Sequence, residues 1–267
     1  MDLEKTARNI RINIIKQIYA AGSGHPGGAL SAADILTLLY FEVMNIPSFT
    51  DENRDRFVMS KGHASALLYA TLAQRGAIDL SLLPTFRKLG SPLQGHPDMN
   101  KVTGVDMTAG SLGLGVSAAA GMALAAKLGS HNYRVYTLLG DGELQEGSVW
   151  ETFMAASHYK LDNFTVIIDN NNLQIDGEVD KVMSVYPLRE KLEAFGFDAV
   201  EADGHDFSSL RKAFAVASNL NGKPCAIIAK TIKGKGVSFM ENNADWHGKA
   251  PDKEQAALAV KELGGEL

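Results

Sequence analysis

The sequence predicts an α/β fold: a mostly parallel sheet with helices on both faces. Four short apolar runs have the length of buried strands, at 135–139, 164–169, 197–202 and 225–230. Segments of 20 to 30 residues separate these runs, and several carry apolar side chains at helical spacing. Such alternation is typical of parallel sheets, because a helix usually carries the chain from one strand to its parallel neighbour.

The first third of the chain is predicted to be helical. Near the N-terminus, apolar side chains recur at the spacing of an amphipathic helix rather than of a signal peptide: Leu3, Ala7, Ile10, Ile14 and Ile18. Residues 31–44 have a broad apolar face and open with Ser31 as a candidate helix cap. Residues 64–75 have a similar pattern, and the small residues of 113–128 favour a closely packed helix.

The remaining helices are predicted between and after the strands. Helical patterning covers 148–159 and 207–220, and the segment 251–267 should form a last helix that stops at Gly264. We find no linker, low-complexity block or internal repeat. The sequence therefore predicts a single domain over residues 1–267.

Composition restricts the classes of function. The 267 residues are 45% hydrophobic and 21% charged, as in ordinary globular proteins, and the net charge of −5 argues against nucleic acid or an anionic membrane as a partner. No apolar run reaches the roughly 18 residues that a membrane span needs. The single cysteine, Cys225, cannot form an intrachain disulfide, and we expect a cytoplasmic protein.

An acid stands between two glycines where a strand ends, in Gly140-Asp141-Gly142. Turns of this kind often cradle phosphate, which a carboxylate should repel, unless a divalent cation joins the two. Mg²⁺ prefers oxygen ligands and often binds phosphate at the same time. The next strand ends in the asparagine run 170–172, so an asparagine amide and the backbone carbonyl of Leu173 are candidate further ligands. We predict a magnesium and diphosphate site at this edge of the sheet.

Eight sequence blocks, in the expected order, resemble transketolase. The spacing from GDG to the asparagine run resembles the thiamine diphosphate motif, and the other blocks narrow the family. The blocks are SGHPGG (23–28), MSKGHAS (59–65), QGHPD (94–98), TAGSLGLG (108–115), GDGELQEGSVWE (140–151), NNNLQIDG (170–177), KTIKGKGV (230–237) and WHGKAP (246–251). The resemblance covers nearly the whole chain and implies a thiamine diphosphate-binding fold.

Site residues follow from the resemblance, position by position. It implies that Mg²⁺, or another divalent cation such as Ca²⁺ or Mn²⁺, binds Asp141, Asn171 and the carbonyl of Leu173. It implies contacts to the diphosphate from Gly142, Asn171, His63 and His247, and to the rest of the cofactor from Gly110, Ser111 and Leu112. It implies that the reacting sugar faces His25, His96 and His247, and that Glu146 joins an acidic network toward a partner's active site. The remaining histidines are interpreted as structural: His131, His158 and His205.

The chain matches only the first of the three domains that transketolases usually have. The resemblance therefore implies a split enzyme, in which a C-terminal transketolase subunit supplies the pyrimidine-binding domain and most contacts to the sugar phosphate. We expect two copies of each chain in a heterotetramer. The implied reaction moves a two-carbon glycolaldehyde unit from a ketose phosphate to an aldose.

Three alternatives remain open from the sequence. One is another thiamine diphosphate enzyme, similar to deoxyxylulose phosphate synthase. A second is a nicotinamide-dependent oxidoreductase, because GLGVSA (113–118) fits the glycine-rich dinucleotide pattern, although no good strand precedes it. The third is a cofactor-binding subunit without catalytic activity.

Overall fold

Five parallel strands form the central sheet of the computed structural model, which describes residues 1–219 and 222–267. In chain order the strands are β1 (Arg56–Met59), β2 (Val135–Gly140), β3 (Phe164–Asn170), β4 (Leu173–Gln174), β5 (Gly177–Glu178), β6 (Asp198–Asp203) and β7 (Cys225–Lys230). The sheet has the order β1-β2-β3-β7-β6, while β4 and β5 form a separate antiparallel hairpin. The predicted parallel sheet is confirmed.

Helices cover both faces of this sheet, as predicted. They are α1 (Leu3–Ala21), α2 (Pro26–Ser31), α3 (Ala33–Leu38), α4 (Ser65–Arg75), α5 (Leu114–Leu128), α6 (Gly147–His158), α7 (Val179–Met183), α8 (Leu188–Ala194), α9 (Phe207–Ala217) and α10 (Lys253–Glu262). No helix in the described part of the chain is long and apolar enough to cross a membrane. The pattern over 207–220 corresponds to α9, and its last residue lies outside the described residues.

Two hydrophobic cores result from the alternation of side chains along each strand. Leu138 packs into one core with α1, α2, α3, α4, α9 and α10, and the next residue, Leu139, packs into the other with α5, α6 and α8. Strand β3 contributes in the same way, with Ile167 on the first side and Ile168 on the second. Because β2 and β3 are buried on both faces, their sequences are continuous apolar runs.

Two local predictions were wrong. The strand β1 was not predicted, because it has only four residues at the edge of the sheet and begins with the half-buried Arg56. Ser31 does not cap a helix over 31–44; it is the last residue of α2, and its hydroxyl donates to the Asp169 carboxylate. The predicted helix is divided into α3 and a π-turn, Leu39–Val43.

Four neighbouring strands end at one edge of the sheet, and the residues that follow them define the site. Lys61 comes shortly after β1, Asp141 follows β2, Asn171 follows β3, and Lys233 comes shortly after β7. Ligands usually bind at this edge of an open α/β sheet. The topology therefore brings together segments that are far apart in the sequence.

Candidate active site

A cleft of about 360 Å³ opens at the carboxyl edge of the sheet. All but one of the residues predicted for the site line it: His25, His63, His96, Gly110, Leu112, Asp141, Gly142, Glu146, Asn171, Leu173 and His247. The exception is Ser111, which lies exposed between two of the lining residues. The sequence blocks thus converge on one cleft.

Asp141 is one of the buried acids of this cleft. Its Oδ1 accepts a hydrogen bond from Gly142 N–H (2.9 Å) and its Oδ2 accepts one from Asn172 N–H (2.5 Å). Burial, and then the negative charge of Asp169, raise the pKa of Asp141 to about 7. A cation bound to this carboxylate would offset both effects, because it favours the charged form.

Two further oxygen atoms that suit a metal ion lie beside Asp141: the side-chain Oδ1 of Asn171 and the backbone carbonyl oxygen of Leu173. Asn171 Oδ1 accepts from Leu173 N–H (3.0 Å), and the Leu173 carbonyl accepts from the Lys233 ammonium (3.0 Å). Amide and carbonyl oxygens have two lone pairs, so each of the two can accept a further partner. One carboxylate, one amide and one carbonyl make a donor set that fits Mg²⁺ or a similar hard cation. Within residues 1–219 and 222–267, no three His, Cys, Asp or Glu side chains gather as a metal cluster.

Asp169 also lies in the cleft, but its charge is already balanced. It is fully buried and forms an ion pair with Lys61, while the hydroxyls of Ser31 and Thr231 donate to it. Burial alone would raise the pKa of Asp169, but the Lys61 charge and these hydrogen bonds hold it below its usual value. Asp169 is therefore a structural acid, and Lys61 was missed in the sequence because its role depends on this distant partner.

Three histidine rings meet across the cleft. The ring centroids of His25 and His63 are 5.2 Å apart, those of His63 and His247 are 5.2 Å apart, and those of His25 and His247 are 5.6 Å apart. Burial lowers the pKa of His25 to about 4 and that of His247 to about 3, and it lowers the pKa of His63 well below its usual value. At neutral pH these imidazoles are uncharged, so each ring offers one N–H donor and one acceptor.

Lys233 supplies a cation that the sequence analysis did not single out. It is buried, and its ammonium also contacts His247 Nδ1 (2.9 Å). Because an ammonium only donates, His247 Nδ1 must accept, and the ring proton must lie on Nε2. Burial, and then the charge of Lys61, lower the pKa of Lys233 to about 8. The signal for this residue was its place in KTIKGKGV, directly after strand 225–230.

The rim of the cleft carries His96 and Glu146, and Arg87 lies close to His96. Arg87 lies beside two histidines. Its guanidinium is 3.4 Å from His25 Nδ1. Burial of the His96 ring, and then the positive charge of Arg87, lower the pKa of His96. Glu146 is exposed where α6 begins. A Cβ on Gly113, whose φ is +80°, would come within 3.0 Å of Glu146 Cβ, so the 108–113 loop passes Glu146 only with glycine there.

The dinucleotide pattern of residues 113–118 does not have the required context. GLGVSA opens α5, but a loop precedes it, and the described residues between α4 and α5 contain no strand. A nicotinamide-binding turn joins a strand directly to a helix. The geometry therefore disfavours the oxidoreductase alternative.

Comparisons with known proteins show the family to which this chain belongs. The family described as "Transketolase, thiamine diphosphate binding domain" matches residues 3–266. One of the subunits of the apulose-4-phosphate transketolase of Phocaeicola vulgatus is 43% identical over 267 residues, which cover 99% of this chain and 95% of that protein. Human transketolase is 44% identical over 270 residues, which cover 99% of this chain and 42% of that protein. The transketolase structure from Campylobacter jejuni matches with a TM-score of 0.93 and 37% identity, over 99% of this chain and 43% of that one.

Proposed function

Because this chain belongs to the transketolase family and matches its thiamine diphosphate-binding domain, we propose that it is the N-terminal subunit of a two-chain transketolase. The chain spans less than half of human transketolase but nearly the whole of a relative that is named as one subunit of a transketolase. This difference in length supports a partner chain that supplies the missing domains. The observation that carries the proposed activity is the cleft itself, which Asp141 and three neutral histidine rings line together.

The cofactor would bind along this cleft. Asp141, Asn171 and the Leu173 carbonyl would hold Mg²⁺, or another divalent cation such as Ca²⁺ or Mn²⁺. The diphosphate would meet the backbone of Gly142 and the side chains of Asn171, His63, His247 and Lys233. Gly110, Ser111 and Leu112 would border the middle of thiamine diphosphate and its aminopyrimidine side. The two-carbon transfer depends on the carbanion chemistry that thiamine diphosphate supplies when it is bound.

The histidines would act on the sugar as neutral donors. His25 and His247 are uncharged at neutral pH, because their pKa values are about 4 and about 3. A neutral imidazole N–H can stabilise a sugar oxygen on which negative charge develops, and a fixed donor does so without reorganisation. His96 at the rim would orient the hydroxyl groups of the same substrate. The partner chain would close the cleft and exclude water.

Exposed apolar surface supports an assembly with two copies of each chain. The exposed residues of α5 are Leu114, Gly121, Ala125, Lys127 and Leu128, and Leu128 is 79% exposed. A helix whose solvent side is mostly apolar, here interrupted only by Lys127 in the last turn, is usually covered in the complete protein. We assign a second copy of this chain to α5, and the C-terminal subunit to the cleft. Glu146, exposed near this surface, would take part in the acidic network that links the active sites.

The substrates are a ketose phosphate donor and an aldose or aldose phosphate acceptor. The relative from Phocaeicola vulgatus is named for apulose 4-phosphate, and a relative from a Clostridium species is named for 6-deoxy-6-sulfo-D-fructose. In this chain the choice between the pentose phosphate route and a dedicated catabolic route would depend on the partner's contacts to the sugar phosphate. A cytoplasmic location stays a prediction from the sequence.

The test is reconstitution with the C-terminal transketolase chain of the same organism. We expect the pair to bind thiamine diphosphate only with Mg²⁺ and to transfer a two-carbon unit from xylulose 5-phosphate or a related ketose phosphate. Each chain alone should show no turnover. Turnover with pyruvate as the donor would support the deoxyxylulose phosphate synthase alternative. Cofactor binding by the pair without transfer from any ketose phosphate would support the non-catalytic alternative.

Replacing His25 or His96 with alanine should separate cofactor binding from catalysis. We expect each variant of the reconstituted complex to bind thiamine diphosphate like the wild type but to turn over about 100-fold or more slowly, the usual effect of losing a transition-state hydrogen-bond donor. Calorimetry and initial rates measure the two quantities. His158→Ala is the matched control, because His158 is exposed on α6. Full activity of both site variants would contradict the sugar-facing role.

A further inference from the structure

His205 lies outside the cleft, in the turn between β6 and α9, yet one of its two partners directly precedes Lys233, which lines the cleft. Its Nδ1 is 2.8 Å from the Asp34 carboxylate on α3. Its Nε2 is 2.9 Å from the backbone N–H of Ile232, which follows β7. The ring thus bridges a helix of the first core and the loop after the last strand of the sheet.

These contacts fix the protonation of the ring. A backbone N–H only donates, so His205 Nε2 must accept the hydrogen bond from Ile232, and the ring proton lies on Nδ1. Nδ1–H then donates to Asp34. Arg11 of α1 holds the same carboxylate with two hydrogen bonds, of 2.8 and 2.6 Å. The orientation of His205 is therefore set from α1 through Asp34, as a carboxylate sets a histidine in many sites.

Ile232 directly precedes Lys233, whose ammonium enters the cleft. The strand ends at Lys230, so the Ile232 N–H is no longer part of the sheet and is held by the His205 ring instead. The Lys233 stem then passes Gly27, where a Cβ would come within 3.1 Å of it. Small rotations of the backbone at Ile232 would move the ammonium away from Leu173 O and His247 Nδ1.

We propose that His205 is a positioning residue for the anion-binding end of the cleft. By accepting the Ile232 N–H, it directs Lys233 toward Leu173 and His247, where the ammonium can meet an anionic cofactor. This proposal depends on the proposed function only for the identity of the anion, which would be the diphosphate of the cofactor. The sequence pattern identified His205 only as a structural histidine, because neither of its partners is close in the chain.

Two substitutions separate the two hydrogen bonds of His205. In His205→Gln, the amide oxygen can take the place of Nε2 and accept from Ile232. In His205→Asn, the shorter amide can take the place of Nδ1 and donate to Asp34, but it cannot reach Ile232. In the reconstituted complex with Mg²⁺, we expect the Gln variant to bind thiamine diphosphate like the wild type and the Asn variant to bind about 10- to 100-fold more weakly, as for other supporting residues.

A double-mutant cycle shows whether the effect passes through Lys233. If it does, His205→Asn should weaken binding much less in a Lys233→Met background than in the wild type, because coupled residues are not additive. Equal losses in both backgrounds, or equal affinity of the Gln and Asn variants, would overturn the proposal. Thermal unfolding of each variant controls for a general loss of the fold.

A second measurement needs no ligand and keeps this inference separate from the proposed function. In the full chain labelled with ¹⁵N, the ring signals of His205 should show the proton on Nδ1, and those of His247 should show it on Nε2. We expect the His247 signals to persist in His205→Gln and to change in His205→Asn. Unchanged His247 signals in the Asn variant would contradict the role of His205. Failure of the wild-type complex to bind thiamine diphosphate would contradict only the proposed function.

Discussion

Replacing Asp141 with alanine is expected to abolish the Mg²⁺-dependent binding of thiamine diphosphate. The loss should exceed the roughly 10- to 100-fold effect of removing a group behind a metal ligand, because Asp141 is the one carboxylate in the predicted ligand set. Without it, only the neutral oxygens of Asn171 and Leu173 remain to hold the cation. Calorimetry on the reconstituted complex, with Mg²⁺ and with a chelator, measures the change.

Asp180→Ala is the matched control for this substitution. Asp180 is an exposed carboxylate on α7, close in the chain to the same loop, and we expect its removal to leave the affinity unchanged. Chelation of the metal from the wild-type complex should reproduce the loss seen in Asp141→Ala. Tight, Mg²⁺-dependent binding by the Asp141 variant would rule out the metal site at this strand end.

The parts of the fold that local patterns determine were predictable. Strands β2, β3 and β7 are buried on both faces, so each is a continuous apolar run with clear borders, whereas β6 lies at an edge and only Ala202 of it is buried. The GDG turn and the asparagine run follow directly from β2 and β3, so their meeting at one edge could be predicted from the parallel sheet alone. The edge strand β1 could not, since its four residues give too short a pattern.

The supporting charges of the site were not predictable in the same way. Lysines are almost always exposed, and nothing local indicates that Lys61 or Lys233 is buried. Their burial depends on partners far away in the chain: Asp169 lies 108 positions after Lys61, and Leu173 lies 60 positions before Lys233. His205 and Asp34 are separated by 171 positions. Such pairs follow from the topology of the sheet rather than from any pattern within a single segment.

The ion pair between Lys61 and Asp169 should have the largest single effect on stability. Lys61→Met leaves a fully buried carboxylate without its cation, and breaking a buried pair in this way costs about 3–5 kcal/mol. We expect the free energy of unfolding to fall by that amount at pH 7. Chemical denaturation of the chain, followed by circular dichroism, measures it. The loop from Lys61 to His63 should also lose its anchor at the end of β3.

The pH dependence of this loss has a definite sign. The pKa of Asp169 lies below its usual value in the folded wild type, so the charged carboxylate contributes stability above the unfolded pKa of about 3.9. That contribution disappears as the pH falls through the folded pKa. Without Lys61, burial raises the pKa of Asp169, and the carboxylate of the variant should take up a proton in milder acid. The difference in the free energy of unfolding between the wild type and Lys61→Met should therefore become smaller as the pH falls from 7 toward 4.

Two comparisons distinguish this mechanism from a general effect of losing a lysine. Lys127 pairs with Asp162 at the surface, where the two side chains are 36% and 16% exposed, and Lys127→Met should cost less than about 1 kcal/mol. The double substitution Lys61→Met with Asp169→Leu removes both charges and should cost less than Lys61→Met alone, because no unpaired carboxylate remains. If the single and double variants are equally unstable, the packing of the lysine stem, rather than the stranded charge of Asp169, holds this edge of the sheet together.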